Sequence, residues 1–186
     1  MKKETILLVV ITLVVGALVG TMIAGKSTKT ADKDDHDTHV AQTSVVDTQK
    51  ELQLLKGILE QEPANRNVWV QLGNKYFDTN QPMEAIEAYD KALAIDGNDA
   101  DVLTDQGIMY RRIGWFNKAL DNFNSANELN PKHPQSLLNL GTVYRFDLEE
   151  NGKAKEAWLK YLEIDPTGAT ADRVRTMIDH MENGHE

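Results

Sequence analysis

Residues 101–131 read DVLTDQGIMYRRIGWFNKALDNFNSANELNP. Within this stretch Gly107, Tyr110, Ala119, Phe123 and Ala126 lie at fixed offsets in apolar-periodic sequence, and Pro131 closes it. Thirty-four residues earlier the same offsets give Gly73, Tyr76, Ala85, Tyr89 and Ala92. Thirty-four residues later they give Gly141 and Tyr144, and after one extra residue Ala154, Trp158 and Pro166. The extra residue is expected in the polar turn at 147–152. Three units follow: 66–99, 100–133 and 134–168. Self-similarity at such a period marks a solenoid whose repeats bury their apolar faces against their neighbours.

The spacing predicts two antiparallel helices per unit and an all-α fold. Gly73, Gly107 and Gly141 fall in the first helix of each unit, where the second crosses. Ala85, Ala119 and Ala154 are expected to face them, since small residues let backbones approach. Trp69, Tyr76, Tyr89, Tyr110, Phe123, Tyr144 and Trp158 are expected to fill the space between units. Asn130-Pro131 and Asp165-Pro166 end helices, because a residue before proline is driven from the helical region. Asp96-Gly97 replaces them in the first unit and turns the chain by another route. Gln106 stands where Leu72 and Leu140 stand, which predicts one weaker core contact in the middle unit.

The stretch WVQLGNKYFDTNQPMEAIEAYDKALAID (69–96) closely resembles the tetratricopeptide repeat, and ANELNPKHPQSLLNLGTVY (126–144) resembles its passage into the next unit. The resemblance extends over about residues 46–182. It implies a helix-turn-helix solenoid that binds proteins or peptides. The overall plan is similar to short, membrane-anchored bacterial tetratricopeptide proteins, some of which assist cytochrome c maturation.

Composition narrows the remaining possibilities. The 186 residues carry 20 Lys and Arg against 29 Asp and Glu, a net charge of −9, all of it attributable to residues 45–186. That balance opposes nonspecific nucleic-acid binding, which needs clustered cations. The chain has no Cys, which excludes disulfides, thiolate catalysis, Cys-ligated zinc and covalent haem attachment. No cofactor is expected, and no P-loop, GxSxG or HExxH catalytic motif is present.

The N-terminal region 1–25 reads as a membrane anchor. Ile6–Ala24 is uncharged, and as a helix it would be about 28 Å long, close to the hydrocarbon thickness of a bilayer. Thr12, Gly16, Gly20 and Ala24 form a small-residue stripe suited to packing against another membrane helix, including that of a second copy. Lys2 and Lys3 precede the span and Lys26, Lys29 and Lys33 follow it. A short N-terminal tail of this kind predicts repeats on the far side of the cytoplasmic membrane, facing a periplasm or the cell exterior.

Residues 26–44 lack apolar periodicity and are expected to form a disordered linker. Asp34, Asp35, His36, Asp37 and His39 supply metal-ligand chemistry there, but a site needs ligands held in geometry, so no metal is expected. Residues 45–65 read as an N-terminal capping helix, with Ser44 or Asp47 at its start and Leu52, Leu55, Ile58 and Leu59 on one face. Residues 169–186 read as a C-terminal capping helix and tail, with Ala171, Val174, Ile178 and Met181 on one face.

Candidate binding residues follow from the period. The first helices of stacked pairs line a concave surface. Mapped by that period, the rows on this surface are Asn67, Asp101 and Gln135; Val70, Thr104 and Leu138; Asn74, Ile108 and Thr142; Phe77, Arg111 and Arg145; and Asp78, Arg112 and Phe146. Arg111, Arg112 and Arg145 would converge at one end, beside an apolar floor of Val70, Ile108 and Leu138. Arginine pairs with carboxylate in bidentate fashion, so this arrangement suits a peptide with an acidic or C-terminal carboxylate group. One related sub-family clamps such a carboxylate with Lys and Asn. Asn74 and Asn139 match parts of that set, whereas Val70, Asp105 and Gln135 depart from it. The sequence therefore points to a membrane-tethered adaptor, with a permanent accessory subunit of a membrane complex as the alternative.

Overall fold

The computed structural model describes residues 36–184, with side chains from residue 47 onward. The Ile6–Ala24 span, its small-residue stripe and residues 26–35 lie outside the described residues. Among the described residues no helix is long and apolar enough to cross a membrane.

Among the described residues eight α-helices follow in chain order: α1 (His36–Gln61), α2 (Arg66–Asp78), α3 (Pro82–Ile95), α4 (Ala100–Arg112), α5 (Phe116–Leu129), α6 (Pro134–Thr142), α7 (Asn151–Ile164) and α8 (Ala169–Asn183). A π-turn, Val143–Asp147, continues α6. The helices α2/α3, α4/α5 and α6/α7 form the three pairs that the period predicts.

Each pair is locked by one aromatic ring over one glycine. A Cβ placed on Gly73 would lie 2.5 Å from Cε1 of Tyr89, and one on Gly107 would lie 2.5 Å from Cε1 of Phe123. On Gly141 it would collide with the indole of Trp158. Tyr89, Phe123 and Trp158 are fully buried. This corrects the expected pairing of Gly with Ala. The ring is the glycine's neighbour, and Ala85, Ala119 and Ala154, also fully buried, sit one turn before the ring on the same helix. Trp69, expected to fill the interior, is half-buried, and its indole N–H donates to the Pro63 carbonyl at 2.8 Å.

A second series with the same period sets the helix starts. The side chains of Asn65, Asp99 and His133 accept from the backbone N–H groups of Val68, Val102 and Ser136. All three are N-caps, each satisfying one N–H that the first helical turn leaves open. Asp99 also receives the Arg66 guanidinium at 2.5 Å. Burial opposes ionisation of Asp99, but the Val102 N–H and Arg66 outweigh it and hold its carboxyl below the usual range.

The inserted residue is not in a turn. Three residues join the helices in every unit: 79–81, 113–115 and 148–150. The middle residue of each is left-handed, with φ of 54° at Asn80, 78° at Gly114 and 58° at Glu149. In the first two units the closing bonds run from Gln81 N–H to the Tyr76 carbonyl and from Trp115 N–H to the Tyr110 carbonyl, as in a Schellman motif. In the third, Glu150 N–H reaches the Tyr144 carbonyl, one residue further back. The extra residue is thus absorbed as a π-bulge in the first helix, which keeps the turn and its geometry intact.

The N-terminal boundary also differs from expectation. Residues 36–44, expected as disordered linker, are helical, and α1 runs 26 residues through Ser44 and Asp47 without a break. No Pro or Gly interrupts residues 36–56, so nothing in the backbone stops the helix short of Ser44. Leu59 is buried, and Leu52, Leu55 and Ile58 pack against the core. The C-terminal helix α8 buries Ala171, Val174 and Ile178 as the spacing predicts.

Candidate functional site: the face of the first helices

The helices α2, α4 and α6 present Val70, Ile108 and Leu138 half-exposed along their shared face. Asn67 and Asn74 are exposed beside Val70, and the side-chain Oδ1 of Asn74 accepts from the Tyr89 hydroxyl at 2.8 Å. Burial drives the Tyr89 phenol above its usual range, so it remains a donor. Thr142 is half-buried, with its hydroxyl donating to the Leu138 carbonyl at 2.8 Å. Thr104 leaves the candidate set. It is 3% exposed and its hydroxyl donates to the Ala100 carbonyl at 2.7 Å, which turns it into the helix rather than outward.

The three arginines are each engaged. Arg111 donates to both carboxylate oxygens of Asp147, at 2.5 and 3.3 Å. Arg112 lies over the Phe77 ring at 4.7 Å and donates to the Phe77 carbonyl and to Asn80 Oδ1, at 3.4 and 3.1 Å. It thereby places its charge at the C-terminus of α2, the negative end of the helix dipole. Arg145 donates to Asn151 Oδ1 at 3.1 Å and stands 5.7 Å from the Phe146 ring.

The π-bulge explains why the last two rows do not hold. Downstream of Tyr144 the offset grows by one, so Phe146 falls beside Phe77 and Arg111, and Asp147 beside Asp78 and Arg112. Arg145 is the inserted residue. The shift puts a carboxylate where α4 has Arg112, and that carboxylate neutralises Arg111.

Two polar features of this region escaped the sequence. Asp105 is half-buried, and burial together with Asp101 and Asp99 pushes its carboxyl up to about 6, an effect His133 partly offsets. The Asp101 carboxylate meets His133 Nε2 at 2.9 Å instead. Gln106 is 2% exposed and joins two units. Its amide donates to Asp90 at 2.7 Å and to the Ile86 carbonyl at 3.2 Å, and its carbonyl oxygen accepts from Asn122 at 2.7 Å. A glutamine in an otherwise leucine row, with an asparagine at Asn122 on the helix that crosses it, is the signal that could have revealed this network.

Two family models for the tetratricopeptide repeat match the chain, one over residues 67–99 and one over 134–167. Residues 67–99 and 134–167 are thus tetratricopeptide repeats. The middle unit keeps the period and the glycine–aromatic lock between them.

Among curated relatives, the chain is 33% identical over 124 residues to the human protein O-mannosyl-transferase TMTC3, covering 63% of this chain and 13% of that protein. It is 35% identical over 101 residues to the photosystem I assembly protein Ycf3 of Prochlorococcus marinus, covering 46% of this chain and 58% of that protein. The chain therefore spans little more than half of one relative and a small part of the other. Among solved structures, a crystal structure of MamA superposes with a TM-score of 0.69 at 25% identity, over 83% of this chain and 87% of that one. The first tetratricopeptide domain of Spaghetti (RPAP3), bound to the HSP90 peptide SRMEEVD, superposes with a TM-score of 0.57 at 27% identity, over 63% and 93%.

Proposed function

We propose that this protein is a binding scaffold that holds an extended or helical segment of a partner protein across α2, α4 and α6. Tetratricopeptide-repeat proteins mediate protein–protein interactions, and the similar repeats of Spaghetti carry a bound peptide on this fold. The observation that carries the reading is the apolar row Val70, Ile108 and Leu138, half-exposed and flanked by exposed polar side chains. Among the described residues Arg112 and Arg145 meet no carboxylate within ion-pair distance. They, rather than Arg111, are the groups that would receive an acidic side chain or chain terminus. Ile6–Ala24 would tether the scaffold to the cytoplasmic membrane, with the repeats on its outer side. The likeness to Ycf3 fits a role in assembling a membrane or cytochrome complex. A permanent accessory subunit is the second reading, favoured by the exposure of Met83, Trp115 and Phe146, which a standing neighbour would cover.

The test is capture of partners from native membranes with the full chain, a form lacking residues 1–44, and the Ile108→Glu/Leu138→Glu double variant. Leu159→Glu, on an exposed site of α7, is the control. The double variant is expected to lose the partner that the form lacking residues 1–44 and the control retain. Undiminished capture by the double variant would overturn the groove reading. Loss on removal of residues 1–44 alone would transfer recognition to the N-terminal region.

A further inference from the structure

Residue 105 carries a charge that the repeat does not require. Its counterparts one period before and after are the neutral amides Gln71 and Asn139, and Asn139 serves its own helix by donating to the Gln135 carbonyl at 2.9 Å. Asp105 is half-buried and, among the described residues, makes no hydrogen bond and no ion pair. Burial first, then Asp101, Asp99 and Asp78, raise its carboxyl, and only His133 opposes them. A carboxylate held in this way costs stability at neutral pH, and perturbed carboxylates of this kind concentrate at functional sites.

The neighbouring cations are engaged elsewhere. Arg66 is held by Asp99. His133 gives Nε2 to Asp101 at 2.9 Å and receives the Ser136 N–H on Nδ1. Arg112 donates to the Phe77 carbonyl and to Asn80 Oδ1. Asp101, Asp105, Ile108 and Arg112 follow one another at helical spacing along one face of α4. Asp105 also interacts with Asp78 of α2 and with His133 at the start of α6, so it lies on the face that the three first helices share. Among the described residues no group of three carboxylate or histidine side chains could hold a metal ion. The half-exposed Ile108, one turn from Asp105, suits instead a cation carried on a methylene stem.

We propose that the partner segment held across α2, α4 and α6, on the reading of that face as the binding groove, carries a lysine or arginine whose stem lies on Ile108 and whose cation meets Asp105. The segment is then bipolar. Its cation lies about 10 Å along α4 from Arg112, the group left to receive its carboxylate. A segment bearing acidic side chains alone would face Asp78, Asp101 and Asp105 and be repelled.

The probe is a phage-displayed library of random peptides, selected at neutral pH on the full chain in detergent micelles. Selected peptides are expected to share a lysine or arginine beside an apolar residue. Their affinity for Asp105→Asn is expected to fall at least about tenfold. That variant is expected to be no less stable than the parent, so the loss is not one of folding. Asp105→Lys should lose them as well, and should instead bind the same peptide with glutamate in place of its cation. Asp78, Tyr89, Asp99, Asp101 and His133 also face Asp105, so pH dependence is read as a difference. The gap in affinity between the parent and Asp105→Asn should widen from about pH 5 to about pH 7.5. A library that yields no binder, selected peptides with no shared cation, equal affinity for the parent and Asp105→Asn, or a gap that does not change with pH would each overturn the proposal. The Ile108→Glu/Leu138→Glu variant separates the two readings. If it loses a peptide that Asp105→Asn keeps, the groove stands and the cationic partner falls. If both variants keep the peptide, both readings fall.

Discussion

Replacing Asp105 with Asn should stabilise the fold at neutral pH and cease to do so in acid. Asp105 has an ordinary value of 3.8 and stands at about 6 in the folded protein, chiefly through burial and then through Asp101 and Asp99. A shift of that size corresponds to about 3 kcal/mol. The side chain keeps part of its surface in water, so screening reduces the expected effect to about 1–1.5 kcal/mol. The sign follows from proton linkage. Between 3.8 and 6 the folded chain binds more protons than the unfolded chain, so this residue's penalty grows as pH rises through that window and levels off above about 7. Asparagine has the same shape and no charge at any pH. Urea unfolding of both proteins at pH 7.5, at matched slope, should show Asn ahead by that screened amount, about 1–1.5 kcal/mol. The gap should fall by about half near pH 5 and vanish below about pH 4. The depressed carboxyl of Asp99 acts in the opposite direction but is common to both proteins and cancels. A variant less stable than the parent at pH 7.5, or a gap that does not change between pH 5 and pH 7.5, would refute the argument and show that Asp105 makes a favourable charged contact.

Gly141→Ala should destabilise by about 1–3 kcal/mol, because its Cβ meets the Trp158 indole and the ring is held by an N–H bond to the Leu138 carbonyl at 3.2 Å. Gly57→Ala, with open space around it, should stabilise by about 0.5–1 kcal/mol through helix propensity alone. Thermal unfolding should therefore move the two variants in opposite directions. Gln106→Leu restores the residue of the neighbouring units, yet it should cost about 1–2 kcal/mol in urea unfolding. It removes the bonds that Gln106 makes to the Ile86 carbonyl and to exposed Asp90, and it leaves the half-buried Asn122 amide with the Leu103 carbonyl as its remaining acceptor.

The fold is legible because its cause is periodic. A glycine is required wherever an aromatic ring crosses a helix within van der Waals distance, and that requirement recurs with every pair. The N-cap row has the same period, but Asn65, Asp99 and His133 share only the ability to accept one hydrogen bond. That likeness lies in chemistry and not in residue type, so it does not show as a repeat. Gln106 misleads for a related reason. Position in a leucine row predicts burial correctly, but it does not reveal that Asn122 and Asp90 on the neighbouring helices complete a polar network. The start of α1 is hidden because low hydrophobicity over residues 36–44 says little about backbone conformation where nothing breaks the helix.

The binding face is the least legible part, and the π-bulge shows why. A solenoid core tolerates an added residue provided the ring and the closing turn keep their places. The bulge secures both, since Trp158 still covers Gly141 and residue 149 still turns left-handed. All the displacement therefore falls on the outward side chains between Tyr144 and Asp147. Arg145 enters the surface as an additional residue, and Asp147 reaches Arg111 across the unit boundary. One inserted residue, silent in the core, thus neutralises Arg111 and adds Arg145 to the surface, while Arg112 keeps its neutral partners Phe77 and Asn80 in the first unit. Core positions can be mapped from unit to unit by counting. Surface positions can be mapped only after the backbone has been followed through the insertion, which is where a repeat protein acquires a specificity its neighbours lack.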